Sequence, residues 1–135
     1  MYKIQIMGLF NKLFSSSVEQ KEEKTLPWID LNTLSQLQTI KDKSTTKTQV
    51  IFKYSTRCSI SRIVKNQFVE DYEFNDHDLE LYYLDLLTYR EISNVVANTF
   101  NIVHESPQML VIKNGIVVLH ASHGAINNLD LKRFI

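Results

Sequence analysis

A strand buried on both faces leaves a chain few architectures, and Gln49-Val50-Ile51-Phe52-Lys53-Tyr54 predicts one, dense as it is in β-branched and aromatic residues. Such a strand is central to its sheet and needs a layer on each side. The flanking periodicities supply those layers. Residues 27–40 carry Ile29, Leu31, Leu34, Leu37 and Ile40 mostly three apart, which predicts a helix with Asp30 or Asn32 available as its cap. Ile60, Ile63, Val64, Gln67 and Phe68 recur at helical spacing to about Tyr72, and Leu79-Glu80-Leu81-Tyr82-Tyr83-Leu84-Asp85-Leu86 predicts a second strand. Thr88, with Glu91 three residues on, matches a capping box opening a helix through Ile92, Val95, Val96 and Phe100. Met109-Leu110-Val111-Ile112 and Ile116-Val117-Val118-Leu119 flank Lys113-Asn114-Gly115, a hairpin signal, and residues 126–135 close as a helix with Leu129, Leu131 and Phe134. Two strands joined through a helix run parallel with a right-handed crossover, and the hairpin adds an antiparallel pair. The prediction is an α/β fold, a four-stranded mixed β-sheet flanked by α-helices.

At the end of the first strand lies the sole cysteine of the 135 residues, in Ser55-Thr56-Arg57-Cys58-Ser59-Ile60-Ser61. A lone thiol forms no internal disulfide and no multi-cysteine metal site, so Cys58 either packs or attacks a partner's sulfur. At a helix start it faces unpaired backbone N–H groups and the positive end of the macrodipole, both of which favour the thiolate. Arg57 adds a charge beside it. An ordinary thiol is only a few per cent ionised at pH 7, so such an environment raises the reactive fraction. The flanking Thr56, Arg57 and Ser59 argue for exposure rather than burial. No pair among His77, His104, His120 and His123 has metal-site spacing, and no metal is expected.

Fifteen basic and fifteen acidic residues leave a formal charge of zero, which removes the composition argument for nucleic acid as a partner. No apolar run approaches the roughly 18 residues needed to span a bilayer. Residues 1–24 read as a flexible leader, because residues 15–24 are too polar to offset the entropy of ordering them. Residues 25–135 read as one domain. The apolar stretch at residues 4–10 is interrupted by Gln5 and followed by Asn11-Lys12 rather than a cleavage site, which argues against secretion and for a cytoplasmic protein.

A strand delivering a cysteine to a helix start, a proline opening the later hairpin and a terminal helix together resemble the thioredoxin fold. Phe52-Lys53-Tyr54-Ser55-Thr56-Arg57-Cys58-Ser59-Ile60-Ser61 resembles more narrowly the active-site stretch of the monothiol bacilliredoxins, as do Glu105-Ser106-Pro107-Gln108 and His120-Ala121-Ser122-His123. The resemblance covers residues 27–135. It implies Cys58 as nucleophile, with Thr56, Arg57 and Ser61 as active-site neighbours that stabilise the thiolate. Ser61 falls where a dithiol relative carries its second cysteine. It also implies that the Ser106–Pro107 bond is cis and that Ser106, Pro107, His123 and Gly124 contact substrate. Two departures from ordinary thioredoxins are Arg57, where those proteins usually place tryptophan, and Phe52, six residues before the cysteine, where they bury an acid. General disulfide reduction is therefore disfavoured.

The activity implied is removal of a low-molecular-weight thiol, bacillithiol by resemblance, from S-thiolated cytosolic proteins through a mixed disulfide on Cys58. That thiol is a co-substrate, and no bound cofactor is expected. A monomer is favoured. The alternatives are a binding module of the same fold that grips a partner strand at the Pro107 edge, and a redox sensor for which thiolation of Cys58 is the signal.

Overall fold

The computed structural model describes residues 24–135. In chain order the elements are β1 (Trp28–Asp30), α1 (Ser35–Lys43), β2 (Thr48–Tyr54), α2 (Ser59–Asp71), β3 (Leu79–Asp85), α3 (Arg90–Phe100), β4 (Gln108–Lys113) and β5 (Ile116–Ser122). Two 3-10 turns, His123–Asn128 and Leu131–Phe134, follow them. The sheet has five strands in the order β1-β3-β2-β4-β5. β2 pairs with β3 in parallel and with β4 antiparallel, and β4 pairs antiparallel with β5. The fold is α/β with the mixed sheet that the sequence predicts.

The fifth strand corrects the expected count of four. β1 pairs Trp28, Ile29 and Asp30 with Leu81, Tyr82 and Tyr83, and a three-residue strand is too short to show an alternation of its own. Its apolar residues run into those of α1, so the combined spacing imitates one helix. α1 starts at Ser35 and has no side-chain cap from Asp30 or Asn32. Gln36 acts there instead: its Oε1 accepts the N–H groups of Asn32 and Thr33 at 2.8 and 2.9 Å, and its Nε2 donates to the Asp30 carbonyl at 2.8 Å. Thr88 caps nothing either, because its hydroxyl donates to Asp85 Oδ2 at 2.9 Å and α3 opens two residues later.

The predicted terminal helix is replaced by the two 3-10 turns. Ile126, Leu129, Leu131 and Phe134 are spaced three, two and three, so one α-helical stripe cannot hold them all, whereas short turns separated at Leu129 and Asp130 turn each of them toward the core. The hairpin turn is two residues, Asn114 and Gly115, both left-handed at φ 53 and 79°, as its type I′ geometry requires. The end of α1 holds its tip: Ser44 accepts the Asn114 N–H at its carbonyl and the Gly115 N–H at its hydroxyl, each at 2.8 Å.

β2 is buried along its whole length. Val50, Phe52 and Tyr54 face α2 and the 3-10 turns, and Ile51 packs with Leu37, Ile40, Val96 and Phe100 on the opposite face. Trp28 belongs to the first cluster, its ring 5.9 Å from Phe52 and 5.6 Å from Tyr83. Tyr82 is 3% exposed, with its hydroxyl donating to Glu80 Oε1. No described helix is long and apolar enough to cross a membrane.

Candidate active site

Strand direction gathers the candidate residues at one end of the sheet. β2 runs toward Tyr54 and hands the chain to Cys58 four residues later. Because β4 is antiparallel, its first residue, Gln108, sits opposite Lys53 near that same end, and Ser122 at the end of β5 sits opposite Gln108. The Cys58 loop, the Ser106–Pro107 loop and the His123 loop thus share an edge.

Cys58 is the N-cap residue of α2, with φ −103° and ψ 122°, the extended conformation usual at that position. A tight turn delivers it there: its N–H donates to the Ser55 carbonyl at 3.2 Å and the Arg57 N–H to the Ser55 hydroxyl at 3.2 Å. The thiol is half-buried and free. Its pKa lies below the ordinary thiol value, first because of the Ser61 backbone N–H and then the Ile60 backbone N–H near the sulfur; burial opposes them, and the Ser61 hydroxyl adds the least of the favourable effects. Thr56 and Arg57 are exposed. Arg57 is not among the causes of the shift, and a solvated guanidinium is screened where oriented N–H groups are not.

Ser61 is fully buried. Its oxygen accepts the Ser55 N–H at 3.3 Å, so one side chain ties the segment after β2 to the first turn of α2. The buried stripe of α2 is Ser61, Val64 and Phe68. Ile60 and Ile63, which the helical spacing counts with the core, are 51% and 65% exposed, on the half of α2 that begins at Cys58.

The Ser106–Pro107 bond is cis. Pro107 is buried, and its carbonyl accepts the His123 N–H at 2.9 Å. That bond holds His123 left-handed at φ 57°, with its imidazole exposed. Gly124 has open space around the position of a Cβ. The turn beginning at His123 packs on α2, where Asn127 Nδ2 donates to the Val64 carbonyl at 3.3 Å. Helix, proline loop and histidine loop are therefore joined by direct hydrogen bonds.

Lys53 escaped the sequence reading as a residue of interest. It is fully buried, and its Nζ has no hydrogen-bond partner among the described residues, as is also true of Ser106 Oγ. Burial pulls the amine from 10.5 down to about 8. The signal was present: a lysine inside a strand predicted buried on both faces is itself an anomaly. His104 lies nearby, its Nδ1 3.4 Å from Ser93 Oγ, with a pKa lowered first by burial and then by the Lys53 and Arg90 charges. Among the described residues no three His, Cys, Asp or Glu side chains gather as metal ligands would.

The mixed sheet, the cis-proline loop and the cysteine at a helix start together define the class of thioredoxin-fold thiol–disulfide oxidoreductases. A solved structure described as an oxidoreductase with a thioredoxin fold is 30% identical over 78% of this chain and 91% of its own, with a TM-score of 0.66. Schistosoma mansoni thioredoxin (21% identity, 80% and 95% coverage, TM-score 0.60) and Trypanosoma brucei brucei thioredoxin (14%, 81% and 90%, 0.60) share the fold. The profile of the family described as monothiol bacilliredoxin BrxC matches residues 29–131. The chain belongs to the monothiol bacilliredoxin family.

Proposed function

We propose that this protein removes a low-molecular-weight thiol, bacillithiol in keeping with its family, from S-thiolated proteins of the cytosol. The observation that carries the reading is the Cys58 sulfur at the α2 start, its thiolate favoured by two backbone N–H groups and the Ser61 hydroxyl. The Cys58 thiolate attacks the small-thiol sulfur of a protein–small-thiol disulfide. A bond forms between the two sulfurs, the mixed disulfide breaks, and the substrate protein leaves as its thiolate. Ser61 has no sulfur with which to displace the small thiol again. A second small-thiol molecule does so, forming the symmetric disulfide and regenerating the Cys58 thiolate.

The surrounding residues suit this cycle. Exposed Ile60 and Ile63 offer apolar area to a protein substrate. The cis Ser106–Pro107 edge presents backbone to an extended chain, and His123 and Gly124 border the same edge with room for the small thiol. A binding module without turnover has no use for a lowered thiol pKa, and this favours exchange. The test is de-thiolation of a model protein carrying a radiolabelled small thiol. Cys58→Ser is expected to abolish release, and Ser61→Ala to stay within roughly tenfold of the unmodified protein. Undiminished release by Cys58→Ser would remove the proposal.

A further inference from the structure

At the far end of α2 from the thiol lies a groove of about 300 Å³, whose lining residues include the aromatic Phe68, Tyr72 and Phe74 and the acidic Asp71, Glu73 and Asp130, with Lys132 as the one basic residue. The chain enters the described structure beside it. Lys24 Nζ donates to the Tyr72 carbonyl at 2.6 Å and the Glu70 carbonyl at 3.2 Å, which neutralises the negative end of a helix that has no basic residue in its own last turn. Leu26, two residues on, packs into the same cluster as Tyr72, Phe74 and Leu129.

The preceding sequence matches the groove in charge and polarity. Residues 1–18 contain Lys3 and Lys12 and no Asp or Glu. Between those lysines lie Ile4, Ile6, Met7, Leu9 and Phe10, followed by Leu13 and Phe14, more apolar side chain than a solvated tail needs. The intervening residues 15–23 carry Glu19, Lys21, Glu22 and Glu23. We propose that this groove is the docking site of the chain's own residues 3–14, their apolar side chains against the aromatic rings and Lys3 and Lys12 toward Asp71, Glu73 and Asp130.

Reach allows it. Nine residues, 15–23, separate the segment from Lys24 and extend to about 30 Å, while the whole of α2 is only about 20 Å long. Tethering also supplies an effective concentration near the millimolar range, so contacts too weak to hold a free peptide hold this one.

The proposal does not depend on the thiol chemistry. It is tested on the full chain with Phe10 replaced by the photo-crosslinker p-benzoylphenylalanine, with attachment sites read by mass spectrometry. Crosslinks within one chain are expected at residues 68–74 and 126–132. Lys3→Glu with Lys12→Glu, changes outside the described fold, and Glu73→Lys with Asp130→Lys are each expected to cut that yield several-fold. Glu105→Lys, away from the groove, is expected to leave it unchanged. Crosslinks scattered over the surface, joined to a second chain, or formed with anionic phospholipid vesicles in place of the groove would overturn the proposal. So would a yield indifferent to both charge reversals in proteins that melt normally.

Discussion

Ser61 and Lys53 are both polar, both buried, and opposite in consequence. The Ser61 oxygen is satisfied by the Ser55 N–H, and its hydroxyl adds to the effects that favour the Cys58 thiolate. Removing it takes one donor from the thiolate, so in Ser61→Ala the acid limb of the de-thiolation pH–rate profile is expected to move to higher pH, and an unmoved limb would deny the hydroxyl that role. Lys53 is unsatisfied, with its amine near 8 in the fold against the ordinary 10.5 of an unfolded chain. The folded state therefore prefers the neutral amine. Below about pH 8 the full cost of burying the ammonium is present, and it fades as pH rises toward 10.5, so stability gains through that window. Between pH 7 and about 9.5, below the range where unfolded tyrosines titrate, the melting temperature is expected to rise in the native protein and to be flatter in Lys53→Met. That variant is also expected to melt several degrees higher at pH 7, since each kcal/mol is worth about 4 °C or more in a domain of this size. An equal or lower melting temperature would show the amine to be compensated. At this scale the sequence exposes the thiol, because residue type and helix start name it. It hides the partners, because Ser61 acts through an orientation that residue type alone does not give.

Among the elements, β2, α2, β3 and α3 are legible because each carries a single period over seven or more residues. β1 and the closing turns are not, since three or four residues cannot establish a period and Ile29, Leu31 and Leu34 belong to different elements that happen to be spaced alike. The candidate site follows the same division. Cys58 and Pro107 sit at ends of readable elements, whereas the Pro107 carbonyl to His123 N–H bond joins loops that only the sheet register brings together. Turn geometry gives a contrast that a melting experiment reads. Gly115 is left-handed at φ 79°, so Gly115→Ala is expected to destabilise by about 1 kcal/mol. Gly124 has no such φ and nothing within 4 Å of a Cβ, and Gly124→Ala is expected to stay within about 0.5 kcal/mol. Equal losses would mean that the hairpin tip is not held in its left-handed turn.

For the molecule as a whole, order should follow burial and pairing. β2 is flanked by ladders on both sides and covered on both faces, while β5 is an edge strand with exposed Ile116 and Val118 and the chain ends in short 3-10 turns. Amide exchange is expected to be slowest in β2 and β4 and fastest in β1 and residues 123–135, and the reverse order would contradict the layering described above. The thiol thus lies four residues beyond the strand expected to be the most rigid.

Ser61, sealed inside the first turn of α2, bears on the tempo of the cycle proposed above. If Cys58 takes up a small thiol as proposed, no second cysteine in the chain can relieve it, and the occupied form is expected to persist until a free thiol collides with it. Its lifetime would then vary inversely with the abundance of that thiol. A low pool would leave the loaded form to accumulate, and the protein itself would become a gauge of the shortage.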